Sequence, residues 1–161
     1  MTPSDIQEIA RYIVAEARQV SRAHTDQPDA PVNYVCVFAQ SVDEYEDLLT
    51  STHELGTVVA ETPTGPVFQI DPVSTAAGPV QILKIRKPDP KRLERGDADF
   101  TVSDYDAFKK SHLDRPGFSL IKRPEMEMIE LVDPRFNALA YFSHPVFAKT
   151  VGIDLDLPAA G

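Results

Sequence analysis

Asp97, Asp99 and Thr101 stand two residues apart in DADFTV, residues 97–102. In an extended chain successive side chains point to opposite faces, so these three share one face and Ala98, Phe100 and Val102 take the other. Two carboxylates on one face can divide acid and base work, or hold a ligand's polar groups, if burial raises one of their pKa values. Asp97 and Asp99 are therefore the candidates for a general base. With Thr101 they are also candidate ligand-binding residues. The bland alternative is a pair of strand-end carboxylates, solvated and neutralised by Lys84 or by a nearby basic loop.

Other chemistry finds little footing. His24, His53, His112 and His144 show no i, i+4 spacing for a helical metal pair and read as surface or capping residues. Cys36 is the single cysteine, which excludes an intramolecular disulfide and a cysteine-based zinc site. In YVCVF, with no local positive charge, it reads as a buried inert thiol. The chain has no GxGxxG, P-loop, GxSxG or HExxH, so nucleotide, serine-hydrolase and zinc-protease readings have no support. Met126 and Met128 alternate with glutamates as in a half-buried strand, and core packing explains them.

The elements that must position these residues can be read along the chain. The length of 161 residues, with 42% hydrophobic and 25% charged content, suits one domain with a sizeable core. A formal charge of -9 repels phosphate backbones and anionic lipid, so nucleic acid and membranes are not expected partners. No apolar run approaches the roughly 18 residues of a membrane span. The first residues lack a basic start followed by an apolar core, so a cytoplasmic protein is expected. Residues 4–23 open with Ser4 as a cap and carry Ile6, Ile9, Ala10, Ile13, Ala17 and Val20 at helical spacing, an amphipathic helix whose stripe covers the domain or a partner chain. Residues 24–31 form a linker.

Residues 32–39 read as a strand, followed by a helix capped by Ser41 and by strands at 57–61, 65–70 and 80–87. The connector KPDPKRLERG then carries Arg86, Lys87, Lys91, Arg92 and Arg95 on its flank and length, a solvated basic surface. The same order of strand, helix and three strands follows in residues 96–143. Ser41 and Ser103, Gly56 and Gly117, Pro63 and Pro124, and Asp71-Pro72 and Asp133-Pro134 match at one common offset, which is the evidence for an internal repeat. The expected architecture is α+β: two tandem βαβββ modules, 32–87 and 96–143, forming a curled mixed sheet around a cavity. An N-terminal helix and linker (1–31) precede them and a C-terminal tail (144–161) follows, crossing the domain and closing the cavity mouth.

Two such modules, with DADFTVSD opening the second and LVDPRFNALAYF closing it, resemble the vicinal oxygen chelate superfamily of glyoxalase I, bleomycin-resistance proteins and extradiol dioxygenases. The resemblance implies metal ligands on the first and last strands of each module. Carried over, those positions fall on Val35, Gln81, Asp97 and Ala140, which offer one carboxylate and one amide. A divalent site needs several converging carboxylate or imidazole groups, so no metal and no cofactor is expected. Gln81 joins Asp97, Asp99 and Thr101 as a candidate ligand-binding residue. The repeat also places Val35, Val37 and Ala39 across from the aspartates, a cavity with one apolar and one acidic wall for a small amphipathic or cationic ligand. The expectation is a metal-independent small-molecule-binding protein. The alternatives are a glyoxalase-like lyase or isomerase using a cavity carboxylate as base, and a structural protein forming a homodimer through its N-terminal helix.

Overall fold

The computed structural model describes residues 1–150. Helix α1 (Pro3–His24) begins two residues earlier than its apolar pattern suggests, because Thr2 and not Ser4 is the cap. The Thr2 hydroxyl accepts from the Asp5 N–H while the Asp5 carboxylate accepts from the Thr2 N–H, and Pro3 occupies the first helical position, where a missing N–H costs nothing. The apolar stripe is buried almost completely at Ile6, Ala10, Ile13, Val14, Ala17 and Val20. It packs within the chain, against β8, β3, β1 and β5 defined below.

Then follow β1 (Val32–Phe38), α2 (Val42–His53), β2 (Gly56–Thr62), β3 (Gly65–Thr75) and β4 (Gly78–Arg86). The remainder is β5 (Gly96–Phe100), α3 (Tyr105–His112), β6 (Phe118–Lys122), β7 (Glu127–Leu131), β8 (Ala138–His144) and the short α4 (Phe147–Thr150). Ser41 caps α2 as expected, accepting from the Glu44 N–H. The cap of α3 is Asp104, not Ser103, and its carboxylate accepts from the Ala107 N–H.

All eight strands form one mixed sheet in the order β2-β3-β4-β1-β5-β8-β7-β6, not closed into a barrel. Strand β1 runs parallel to β4, β5 runs parallel to β8, and the remaining neighbours, including β1 and β5 at the centre, are antiparallel. One expected landmark fails. Asp71-Pro72 does not end a strand: β3 runs on to Thr75, absorbing the proline at an irregularity in its pairing with β4 between Gln69 and Val73. A bulge removes the ladder N–H that proline lacks. Asp133-Pro134 does lie between strands, after β7.

Helices α1, α2 and α3 cover one face of the sheet, over a core that includes Val35, Val37, Phe68, Leu83, Ala98, Phe100, Ile129, Ala140 and Phe142. A smaller apolar cluster occupies the other face, built from Tyr34, Cys36, Phe38, Val67, Ile82, Leu139 and Tyr141. Gly96 lets α1 approach the central pair, since a Cβ there would sit 2.1 Å from the Cys36 carbonyl oxygen and 2.7 Å from Ile13 Cδ1.

Candidate functional site

Register decides what surrounds Asp97 and Asp99. Cys36 pairs with Asp97 and with Lys84, and Tyr34 pairs with Asp99, which pairs in turn with Tyr141. Paired residues in adjacent strands share a face, so the aspartates stand beside Tyr34, Cys36, Lys84 and Tyr141. The expected apolar wall of Val35, Val37 and Ala39 is not there. Val35 pairs with Ala98 and belongs with Val37 and Ala39 to the core under the helices. Ala140 also pairs with Ala98, on that same side. The offset taken from the repeat is one residue out of phase, and with a side-chain period of two a single step moves every residue to the other face. Gln81 lies half-buried on β4 between Val80 and Ile82, one step out of the Ile82, Lys84, Arg86 series that shares the aspartates' side. Thr101 stays with the aspartates, reached through Asn33.

The aspartates are not solvated strand-end groups. Asp97 is 4% and Asp99 1% exposed, and neither forms an ion pair among the described residues. Asp99 Oδ1 accepts from the Ser143 N–H at 3.0 Å and from Asn33 Nδ2 at 3.5 Å, and Asn33 Nδ2 also donates to Thr101 Oγ1 at 3.0 Å. A register shift between Val32 and Tyr34 accompanies this placement of Asn33. Beyond Asp99, the Tyr141 hydroxyl donates to Glu130 Oε2 at 2.7 Å and Arg92 donates to the same oxygen at 3.1 Å.

Burial disfavours charge on both carboxyls. It raises Asp97 well above the ordinary carboxylate range, and the neighbouring Asp99 adds to the rise against the opposing pull of Lys84 and Arg86. Asp99 is raised by burial to about 6, restrained by its bonds from Ser143 and Asn33. Both carboxyls are thus pushed toward the neutral form. Burial, with the field of Asp97 added, pushes the Cys36 thiol far up, so it is the inert thiol the sequence suggests.

Among the described residues, four buried side-chain polar atoms lack a hydrogen-bond partner: Asn33 Oδ1, Asp97 Oδ1, Ser143 Oγ and Arg86 Nε. All four residues belong to this side of the sheet. Asn33 and Ser143 both bond Asp99, and Arg86 pairs across β1 with Phe38, its guanidinium 5.1 Å from the ring centre. Buried polar groups are satisfied in the great majority, so such a concentration in one place marks a site that protein atoms alone do not complete.

The residues do not fit the metal that the resemblance implies. No group of three or more His, Cys, Asp or Glu converges among the described residues. The four central strands present Tyr34 and Cys36, Ile82 and Lys84, Asp97 and Asp99, and Leu139 and Tyr141, and two carboxyls with a lysine nearby offer fewer converging oxygen ligands than a divalent cation takes. The histidines are dispersed. His24 bonds Asp133 at 2.8 Å, His53 meets Phe68 edge-on and His144 stacks on Tyr105. His112 is buried between Phe108 and Phe118 rather than at the surface. The connector's cations are mostly paired, Arg92 with Glu130, Arg95 with Glu44 and Arg86 with Asp89.

Of the C-terminal tail, Val146 and Phe147 pack on the Tyr34 cluster, with the Phe147 ring 4.5 Å from that of Tyr34. Residues 151–161, on which the rest of the tail's expected course falls, lie outside the described residues. Asn33, Tyr34, Tyr141 and Ser143 escape sequence reasoning, whereas Lys84 does stand near Asp97, two strands away across Cys36, without pairing to it. Each sits in a strand whose pattern is legible, but which face is which depends on pairing between distant strands.

No protein-family model matches the sequence, and no curated protein matches it. A solved structure described as a structural-genomics protein, EC4020, is similar over 92% of this chain and 90% of its own, with a TM-score of 0.67 and 15% identity. At that identity the likeness establishes a shared fold and nothing more.

Proposed function

We propose that the chain is a small-molecule-binding protein of the vicinal oxygen chelate type that works without a metal, its ligand held on the Asp97 and Asp99 side of the sheet. The observation that carries this reading is the concentration of partnerless buried polar atoms on Asn33, Asp97, Ser143 and Arg86. The paired-module architecture is supported by the pairing pattern, since β1 to β4 and β5 to β8 trace the same path through the sheet and meet at β1 and β5. A curl of the sheet is supported by Arg123, which follows β6 and yet depresses the Lys84 pKa along with burial and Arg86. Five strand spacings separate β4 from β6 in the order, about 24 Å if the sheet were flat.

A thermal-shift screen of polar small molecules tests the reading. At least one compound should raise the melting temperature of the wild type and lose its effect in Asp97→Ala. A ligand whose affinity is indifferent to both Asp97→Ala and Asp99→Ala would remove this face from the site.

A second reading is favoured by Asp99 itself, a buried carboxylate with a pKa of about 6 fixed by a backbone N–H. It would serve a lyase or isomerase as general base. Turnover would then rise through pH 6 and vanish in Asp99→Asn. Dimerisation through the N-terminal helix has no such support, because the stripe of α1 is already covered by the chain's own sheet.

A further inference from the structure

Lys84 is a half-buried amine on β4 without a counterion. Its Nζ donates to Thr64 Oγ1 at 2.6 Å, and among the described residues no carboxylate forms an ion pair with it. The nearest charged side chains on its own strand and face are of its own sign. Arg86 follows two residues later, with one terminal nitrogen on Asp89. Arg123, exposed, reaches toward Lys84 from the strand at the other end of the sheet order.

Burial lowers the Lys84 pKa most, and Arg86 and Arg123 lower it further against the pull of Cys36 and Asp97. That pull needs an anion, and burial pushes both the Cys36 thiol and the Asp97 carboxyl toward their neutral forms. The other lysines stand differently. Lys109 has Glu127 at 2.8 Å, and Lys87 and Lys91, the next along the chain, are exposed.

A lysine acts as a nucleophile only as the unprotonated amine, and proteins obtain that form by partial desolvation beside other cations. Lys84 meets both conditions. Tying β4 to the turn at Thr64 uses one of the three hydrogens of an ammonium, and a neutral amine can still donate it while keeping a lone pair for chemistry. Half-burial leaves the nitrogen within reach of a small reagent.

We propose that Lys84 is a covalent site for small aldehydes, which it takes as imines. The amine lone pair forms a bond to the carbonyl carbon as the C=O π bond opens, and the oxygen takes up the proton that the nitrogen gives up. The resulting carbinolamine loses water to leave a C=N bond, with no change of oxidation state overall. The site goes beyond the reversible binding read above and does not depend on it.

Reductive labelling of the full chain tests it. With acetaldehyde limiting and cyanoborohydride present, each imine is trapped as an ethyl-lysine and read residue by residue by peptide mass spectrometry. At about pH 7.5 Lys84 should be modified severalfold faster than Lys87 and Lys91. The lead should close as the pH approaches 10.5, the ordinary lysine value, where exposed amines lose their protons too. Thr64→Asp supplies the missing counterion in a turn after Pro63 that accepts aspartate, and should abolish the lead while Lys87 and Lys91 keep their rates. Thr64→Asn, similar in shape and uncharged, should preserve it. Circular dichroism and melting temperature confirm that both variants are folded, and the pH series on the wild type needs no variant.

Equal rates at Lys84, Lys87 and Lys91 in the wild type, or no label at Lys84, overturn the proposal. A lead that persists at pH 10.5, or that survives Thr64→Asp in a folded protein, overturns the assignment of the reactivity to an uncompensated amine. The screen with Asp97→Ala decides the reversible reading separately.

Discussion

Asp99→Asn should make the protein more stable at neutral pH than at acid pH, relative to the wild type, and by a predictable amount. In the folded chain Asp99 holds its proton up to about pH 6, against 3.8 for an ordinary aspartate. Between those values the native state binds a proton that the unfolded state has lost, so stability falls as pH rises through the window. Each pH unit costs about 1.4 kcal/mol, which makes the total about 3 kcal/mol by pH 7. Asparagine keeps an oxygen to accept from the Ser143 N–H and removes the titration. Any loss from the weaker neutral hydrogen bond is an offset common to all pH values. Urea unfolding of both proteins at pH 3.5, 5, 6 and 7.5, with unchanged m-values, gives the difference directly, and carboxylates such as Asp133 and Glu127 that titrate with the opposite sign cancel in it. The variant should gain about 3 kcal/mol on the wild type across the series. A difference that stays flat to within about 1 kcal/mol would show that Asp99 is not held in a charge-disfavouring site.

Three further outcomes follow from the packing and the site. Gly96→Ala places a methyl group 2.1 Å from the Cys36 carbonyl oxygen, a clash with backbone that no rotamer relieves, and should leave the chain unfolded or destabilised by more than about 3 kcal/mol in urea. Ile13→Ala, at a fully buried position of the α1 stripe, should cost about 2 to 5 kcal/mol without changing mass in sedimentation, whereas loss of a dimer would place that face between chains. Dialysis against a chelator should leave the melting temperature unchanged, and stoichiometric zinc, iron or manganese in elemental analysis would contradict a site that works without a metal.

What the sequence discloses, and what it conceals, divides along physical lines. Element types are local. The helical spacing of Ile6, Ala10, Ile13 and Ala17 and the alternation of DADFTV are written in neighbouring residues, and the structure contains α1 and β5 where those patterns fall. Even there, Thr2 displaces Ser4 as the cap because a proline at the first helical position suits that start better. The proposed site depends instead on long-range pairing. That Cys36 stands beside Asp97, and Val35 does not, follows from a bond register across 61 residues of chain, and nothing near Val35 records it. The irregularity in β3 that absorbs Pro72 hides for the same reason, since Asp-Pro punctuation has one appearance in a turn and in a bulge. Asp97 and Asp99 are legible as a pair; their burial is not, because Asp99 lies between Tyr34 and Tyr141, which arrive from strands distant in sequence.

The most direct measurement is a crystal structure of the chain with the tightest compound from the screen. Density for the compound should lie against Asp97, with hydrogen bonds to Asp97 Oδ1, Ser143 Oγ and Asn33 Oδ1, the atoms that the protein leaves without partners. Density elsewhere on the molecule, with ordered water completing all of those atoms in the complex, would contradict the assignment of this face as the binding site.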